Sequence, residues 1–252
     1  MNQLHTMKNP WAVSGVNVQC QHCGNVFTAQ RINCFDTLLW PEGRQVLNEE
    51  AFFHSVCPQC QTRADLSYPS RYIDKELGIA AVLVPDIENQ DTDQLLPHMN
   101  RYMDRLALNG MEHRAVGSFY SMAEQMRIHQ HHLNDKAIQL LKPFMIGGLQ
   151  SRGFEVWNGF FTGMLHPERN EKLEDTVYFS LQENNTDIYT ENVYQFHIYL
   201  TNGDIIPQGI NDTAYRLCMG MLEKTGLAED DGLFHLYDLS WAINFHNGLH
   251  QN

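Results

Sequence analysis

The sequence predicts an α+β protein with a β-rich N-terminal module, a helical middle and a C-terminal α/β portion. Three observations predict it. Two Cys-x-x-Cys pairs sit among alternating apolar and polar residues near the start, apolar residues at helical spacing follow, and the C-terminal part mixes strand-like alternation with a strong helix. The boundaries fall at a polar tail (1–14), the cysteine-bearing module (15–85), the helical part (86–150) and the C-terminal portion (151–252).

Val16, Val18 and Cys20 alternate with Asn17 and Gln19, and a second alternating run covers Val26 to Ile32. Phe52–Val56 leads into the second pair, and Ala64, Leu66 and Tyr68 alternate beyond it. Leu77–Val84 reads as another strand, stopped by Pro85. Leu95, Met99, Tyr102, Met103 and Leu106 share a helix face, with Asp91–Asp93 as N-cap candidates and Asn109-Gly110 as the stop. Ser118 caps a second helix bearing Met122 and Met126, and Asn134 a third that Pro143 ends or kinks. Val177, Phe179 and Leu181 alternate, as do Tyr194, Phe196, Ile198 and Leu200, with Asn202-Gly203 as a hairpin turn. A helix from about Asp212 to Lys224 stops at Gly226, and a short one begins near Ser240.

The chemistry lies in Cys20, Cys23, Cys57 and Cys60. Extended chain on both sides of each pair makes a tight hairpin tip, a zinc knuckle, that aims both sulfurs the same way. Gly24 suits the left-handed position such a turn needs, whereas Gln61, its counterpart in the second pair, makes a less ideal turn. Two facing knuckles supply four soft thiolates in a tetrahedron, so the reading is a zinc-ribbon-like module with one structural Zn2+ per chain. Four thiolates leave no coordination position for water, so the ion would not be catalytic. The competing readings are two redox dithiols, an iron–sulfur site or unconnected thiols; a redox Cys-x-x-Cys opens a helix in a βαβ setting, which is absent here.

Other signals are weaker. Cys218 shares a helix face with Ala214, Leu217, Met221 and Leu222 and reads as core, and Cys34 likewise as a small buried hydrophobe. His129, His131 and His132 are the densest histidine group, and a solvated helix-to-loop junction explains them without a second metal. His22 and His54 lie close enough in sequence to donate to a thiolate, and an equally good account leaves them exposed. Hydrolase, nucleotide-binding and metalloprotease motifs are missing, and no catalytic residue is assigned. Tyr68, Tyr72, Trp157, Phe160 and Phe161 lack a Lys/Arg stripe that would make them a base-stacking surface, so core packing is the reading.

Net charge is −13, and residues 151–252 carry five Lys/Arg against fifteen Asp/Glu. Such a field repels phosphate backbones and anionic membranes. It keeps a protein soluble, and it would also suit a protein partner with a basic face, docking near Glu168, Glu171, Glu174, Asp175, Glu183, Asp187 and Glu191. No signal-like or membrane-spanning stretch is visible, so the expected location is the cytoplasm, where paired Cys-x-x-Cys motifs favour metal over disulfide.

The segment from Val18 to Gly24, the Cys57-Pro-Gln-Cys60 pair and the exit through Tyr68 and Tyr72 resemble the bacterial and archaeal CpXC family. Residues Arg114–Ser118, Ala123–Met126 and Leu133–Lys142 are similar to that family's strand and two helices after its cysteine module. Gln21 stands where the family usually has proline, which loses turn rigidity but no ligand. The resemblance implies the four-cysteine site and a prokaryotic intracellular setting, and no activity. Three functions follow: a protein–protein interaction or adaptor module; a zinc-ribbon nucleic-acid binder, which the acidic balance disfavours; or an enzyme whose pocket the sequence does not reveal.

Overall fold

The computed structural model describes residues 13–49, 53–103, 108, 110–166, 178–179 and 192–249. The predicted α+β class, with its strand-rich N-terminal region, is observed. The chain divides into two compact units, residues 1–126 with 232–235, and residues 127–231 with 236–252.

In the first unit, two hairpins come from β1 (Val13–Gln19) with β2 (Val26–Ile32), and from β4 (His54–Val56) with β5 (Arg63–Asp65). The other strands are β3 (Cys34–Asp36), β6 (Ser70–Asp74), β7 (Ile79–Leu83), β8 (Glu112–Val116) and β13 (Phe234–His235). They form one mixed sheet in the order β13-β8-β7-β6-β3, in which β6 and β7 run antiparallel and the other neighbours parallel. Both faces of β7 are nearly closed to water, which explains its unbroken apolar run Ile79–Leu83. Helices α1 (Gly43–Asn48) and α2 (Thr92–Met103) belong here, and α3 (Phe119–Gln130) begins here. Phe35, Leu47, Phe53, Tyr72, Phe119 and Met122 meet in its core.

The second unit contains β9 (Val156–Leu165), β10 (Tyr178–Phe179), β11 (Val193–Leu200) and β12 (Ile205–Asn211), paired in the order β10-β12-β11-β9. Its core joins Phe161, Phe196 and Ile198 to α4 (Asp135–Gln150), α5 (Asp212–Thr225) and α6 (Leu239–Leu249). Asn202-Gly203 turns the β11–β12 hairpin as expected, with Gly203 at φ 91°. Asn134 and Asn211 cap α4 and α5 by accepting the Ala137 and Ala214 backbone N–H groups at 3.1 and 3.2 Å. No helix among the described residues is long and apolar enough to cross a membrane.

Several expectations need correction. Of the two outcomes expected at Pro143, an end or a kink, the end does not occur: α4 runs on to Gln150, since burial of Met145, Ile146 and Leu149 offsets a break worth about 3 kcal/mol. On α5 the buried stripe is Ala214, Cys218 and Leu222; Leu217, one residue round the helix, is 66% exposed. Phe160 and Phe161 are core, yet Trp157 is 53% exposed, resting its ring edge-on against Tyr199. Strands β3, β6, β9 and β13 and helix α1 were not anticipated, because β3, β13 and α1 are too short to show a period and β6 begins and ends on buried polar groups, Ser70 and Asp74. The predicted positions Phe52, Leu106, Asn109, Val177 and Leu181 lie outside the described residues.

One polar network is built into the first unit's core. Asp74 is fully buried and accepts from Arg44 Nε at 2.5 Å, Arg44 Nη2 at 2.7 Å, the Tyr72 hydroxyl at 2.7 Å and the Leu77 backbone N–H at 3.1 Å. Burial raises its carboxyl pKa, but the Arg44 and Tyr72 hydrogen bonds outweigh that and hold it below the ordinary carboxylate range. Burial, then Asp74 itself, pushes the Tyr72 phenol up. A depressed carboxylate stabilises the fold above its unfolded pKa and loses that contribution as pH falls through the folded one. Asp74→Asn should therefore cost about 2–4 kcal/mol in urea unfolding at neutral pH. The gap to the parent should shrink as pH falls below the ordinary carboxylate range and through the lowered folded pKa of Asp74, where both side chains become neutral.

Candidate metal centre

Each cysteine pair forms the tip of a hairpin. Pairing in β1–β2 ends at Gln19 and Val26, and in β4–β5 at Val56 and Arg63, leaving loops 20–25 and 57–62. The loops close with the same two backbone hydrogen bonds. The Cys20 N–H donates to the Asn25 carbonyl and the Gly24 N–H to the Cys20 carbonyl, both at 2.9 Å. The Cys57 N–H donates to the Thr62 carbonyl at 3.0 Å and the Gln61 N–H to the Cys57 carbonyl at 2.9 Å. Gly24 at φ 74° and Gln61 at φ 60° occupy equivalent left-handed positions, so Gln61 accepts the strain of the turn and leaves its shape unchanged.

The hairpins are held at their roots by the core beneath them. The Ile32 N–H, at the end of β2, donates to the Tyr68 hydroxyl at 3.0 Å, and Ser70 Oγ donates to the Ile32 carbonyl at 2.7 Å. Phe53, which enters β4, stacks on Phe119 with 4.4 Å between centroids, and Tyr68 meets the same ring edge-on at 4.8 Å. Tyr68 thus ties the exit of the second hairpin to the end of the first.

At the tips, all four cysteine sulfurs lie within 4.8 Å of one another. Cys20 and Cys60 approach to 3.5 Å, and Cys23 and Cys57 to 3.6 Å. Four thiolates about 2.3 Å from a central ion would stand about 3.8 Å apart, so the donor set and its spacing fit a tetrahedral metal. Cys20 and Cys57 are buried at 3% and 1% exposure, while Cys23 and Cys60 are half-buried. Thr62 lowers the Cys60 pKa to about 5, first through its hydroxyl, 3.2 Å from the sulfur, and then through its backbone N–H. The Asn25 backbone N–H favours the Cys23 thiolate, yet lost hydration and the other three sulfurs push its pKa up to about 12. Four adjacent sulfurs cannot all be charged in water without a cation among them.

Of the sequence candidates, the structure brings together Cys20, Cys23, Cys57 and Cys60, the sole potential metal-holding group among the described residues. His129, His131 and His132 form no such group, and His132 is exposed at φ 53°. His54 does not serve a thiolate: its Nδ1 lies 2.7 Å from Asp65, and Arg63 contacts its Nε2. The side chains that do approach sulfur are Thr62 and Asn25, whose Nδ2 lies 3.8 Å from Cys57 Sγ. Sequence reasoning missed both, although each closes its loop as the second residue after a Cys-x-x-Cys pair. Burial raises Cys34 and pushes Cys218 up to about 12, so neither is an activated nucleophile. Cys34 is half-buried where full burial was expected. The acidic group Glu168, Glu171, Glu174, Asp175, Glu183, Asp187 and Glu191 lies outside the described residues.

The matched turns generate a paired prediction. Gln61→Gly should stabilise the first unit by up to about 1 kcal/mol, because relief of the left-handed penalty slightly exceeds glycine's entropy cost. Gly24→Ala should cost about 1–2 kcal/mol, and wholly through backbone strain, since its Cβ would meet nothing within 4 Å. Denaturant unfolding of the two variants should move in opposite directions.

Residues 18–142 match the family model described as CpXC protein. No match is found among the curated proteins or the solved structures. The matched span starts within β1, includes both cysteine loops and ends within α4. With the resemblance in the cysteine loops thus extended to Lys142, the chain belongs, through residues 18–142, to the CpXC family.

Proposed function

We propose that this is a structural-zinc protein whose knuckle loops, made rigid by one Zn2+ on Cys20, Cys23, Cys57 and Cys60, serve in binding another protein. The convergence of four sulfurs within 4.8 Å on two identically closed loops carries the metal reading. Zinc is favoured because it takes four thiolates tetrahedrally and adds no redox chemistry of its own. Bound there, the ion would supply folding energy on the order of 10–16 kcal/mol, a scale at which loop order depends on it.

The binding reading draws on surface chemistry. Val26 and Val56, beside the two loops, are 62% and 53% exposed, and the loops themselves carry Gln21, His22, Pro58, Gln59 and Gln61 with no Lys or Arg. Four thiolates around a dication remain net negative, and the chain has only seventeen Lys/Arg against thirty Asp/Glu. These features disfavour a phosphate backbone as ligand and favour a protein with a basic face.

Purified protein should contain one zinc per chain by elemental analysis, and Cys57→Ser should lose it while Cys34→Ala keeps it. A strong chelator should open the 13–68 region to protease but leave most helical circular dichroism, because the helices of the second unit pack in a core of their own. Retention of zinc by Cys57→Ser would sink the site. For the partner reading, neutralising Glu171, Glu174 and Asp175 to Gln, Gln and Asn should slow association with a captured protein partner severalfold at low salt, without a change in stability. Tight, steeply salt-dependent binding to RNA or duplex DNA would replace that reading with a nucleic-acid one.

A further inference from the structure

We propose that the four cysteines also form a thiol switch, in which oxidation links the two hairpins to each other, Cys20 to Cys60 and Cys23 to Cys57. Neither Cys-x-x-Cys pair closes on itself. The proposal builds on the metal reading only for what the switch releases: paired sulfurs no longer offer thiolates, so a bound ion would leave.

Two sulfur–sulfur contacts span the gap between the hairpins and point to the pairing. Cys20 Sγ meets Cys60 Sγ at 3.5 Å, and Cys23 Sγ meets Cys57 Sγ at 3.6 Å, each across the gap between hairpins. Each contact joins a buried sulfur to a half-buried one, Cys20 with Cys60 and Cys57 with Cys23. An oxidant arriving from solvent therefore meets Cys60 or Cys23 first, and the resolving sulfur is already in contact from the opposite loop. Within a loop, the backbone bonds from Gly24 to Cys20 and from Gln61 to Cys57 hold the knuckle shape. A link between hairpins leaves both turns intact and closes a far longer loop, which restricts the unfolded chain more.

The oxidant class is a hydroperoxide. The Cys60 thiolate attacks one peroxide oxygen; an S–O bond forms, the O–O bond breaks, and the leaving alkoxide or hydroxide takes up a proton. The Cys20 thiolate then attacks the Cys60 sulfenic sulfur; the S–S bond forms, the S–O bond breaks, and hydroxide leaves as water after protonation. Two thiols and one hydroperoxide thus give one disulfide, one alcohol (water, for hydrogen peroxide) and one water. Cys23 and Cys57 repeat the sequence with a second hydroperoxide. The hairpins stay joined at their tips in both states, by the metal centre when reduced and by disulfides when oxidised.

The test is oxidation of the full chain with hydrogen peroxide, in a metal-free arm and a zinc-loaded arm, followed by thiol blocking and disulfide mapping by mass spectrometry. Free thiols should fall from six to two, leaving Cys34 and Cys218. The peptide carrying Cys20 and Cys23 should be joined to the one carrying Cys57 and Cys60, with fragmentation giving the stated pairs. The double variant Cys20→Ser/Cys60→Ser, which keeps the Cys23–Cys57 contact, should form its disulfide at least about tenfold faster than Cys57→Ser/Cys60→Ser, which keeps only the first Cys-x-x-Cys pair. Disulfides within the Cys-x-x-Cys pairs as the main product in both arms, or equal rates for the two variants, would overturn the proposal. Cross-linking in a protein that never holds zinc would remove the metal reading and leave this one. One zinc per chain with disulfides confined to each loop would do the reverse.

Discussion

A two-stranded hairpin has no interior, and this constraint governs the N-terminal unit. Isolated hairpins are marginal in water, so β1–β2 and β4–β5 must be stabilised from outside their own strands. Their roots are anchored on Phe119, where Phe53 and Tyr68 meet, and by the Tyr68 hydroxyl on the Ile32 N–H. Their tips meet only through sulfur and the Asn25 amide, among the contacts described. A hydrophobic root therefore aims the loops, while chemistry at the tips decides whether they stay together.

A carboxylate met by a tyrosine and an arginine occurs in both units, fully buried at Asp74 and half-buried at Asp212. In the first, Asp74 is enclosed by Tyr72 and Arg44. In the second, Asp212 accepts from the Tyr194 hydroxyl at 2.7 Å and pairs with Arg216 one helical turn on, at 2.8 Å. Each phenol is raised above its ordinary range, by burial first and by the neighbouring carboxylate next. These phenols stay protonated and donate, as a carboxylate removed from water requires. They are structural groups, and neither set lies at the cysteine site.

The metal-centre reading separates what is rigid from what is reactive. Thr62 and Asn25 direct polar groups at Cys60 and Cys57, which stabilises negative charge on sulfur and orients the loops for a cation. Outside the loops, Val26 and Val56 present apolar surface that the hairpins cannot bury themselves. A partner seated there would feel any change at the cysteines directly, which links the proposed thiol chemistry to the proposed binding role.

The sequence by itself determined the local features. Spacing alone identified the four cysteines and the extended chain around them, and end signals located α3 through Ser118, α4 through Asn134 and α5 through its stop at Gly226. These are short-range effects, set by side-chain type at fixed offsets along the chain. Only the tertiary structure decided the rest. Pro143 sits inside a helix because distant strands bury the turns after it, and Leu217 faces water because the core reaches just the Ala214–Cys218–Leu222 stripe. The return of Phe234–His235 to pair with β8 joins residues more than a hundred positions apart, and no local period announces it. Which sulfurs meet across the gap was equally invisible: four cysteines allow three pairings, and only the facing of two hairpins brings Cys20 against Cys60 and Cys23 against Cys57.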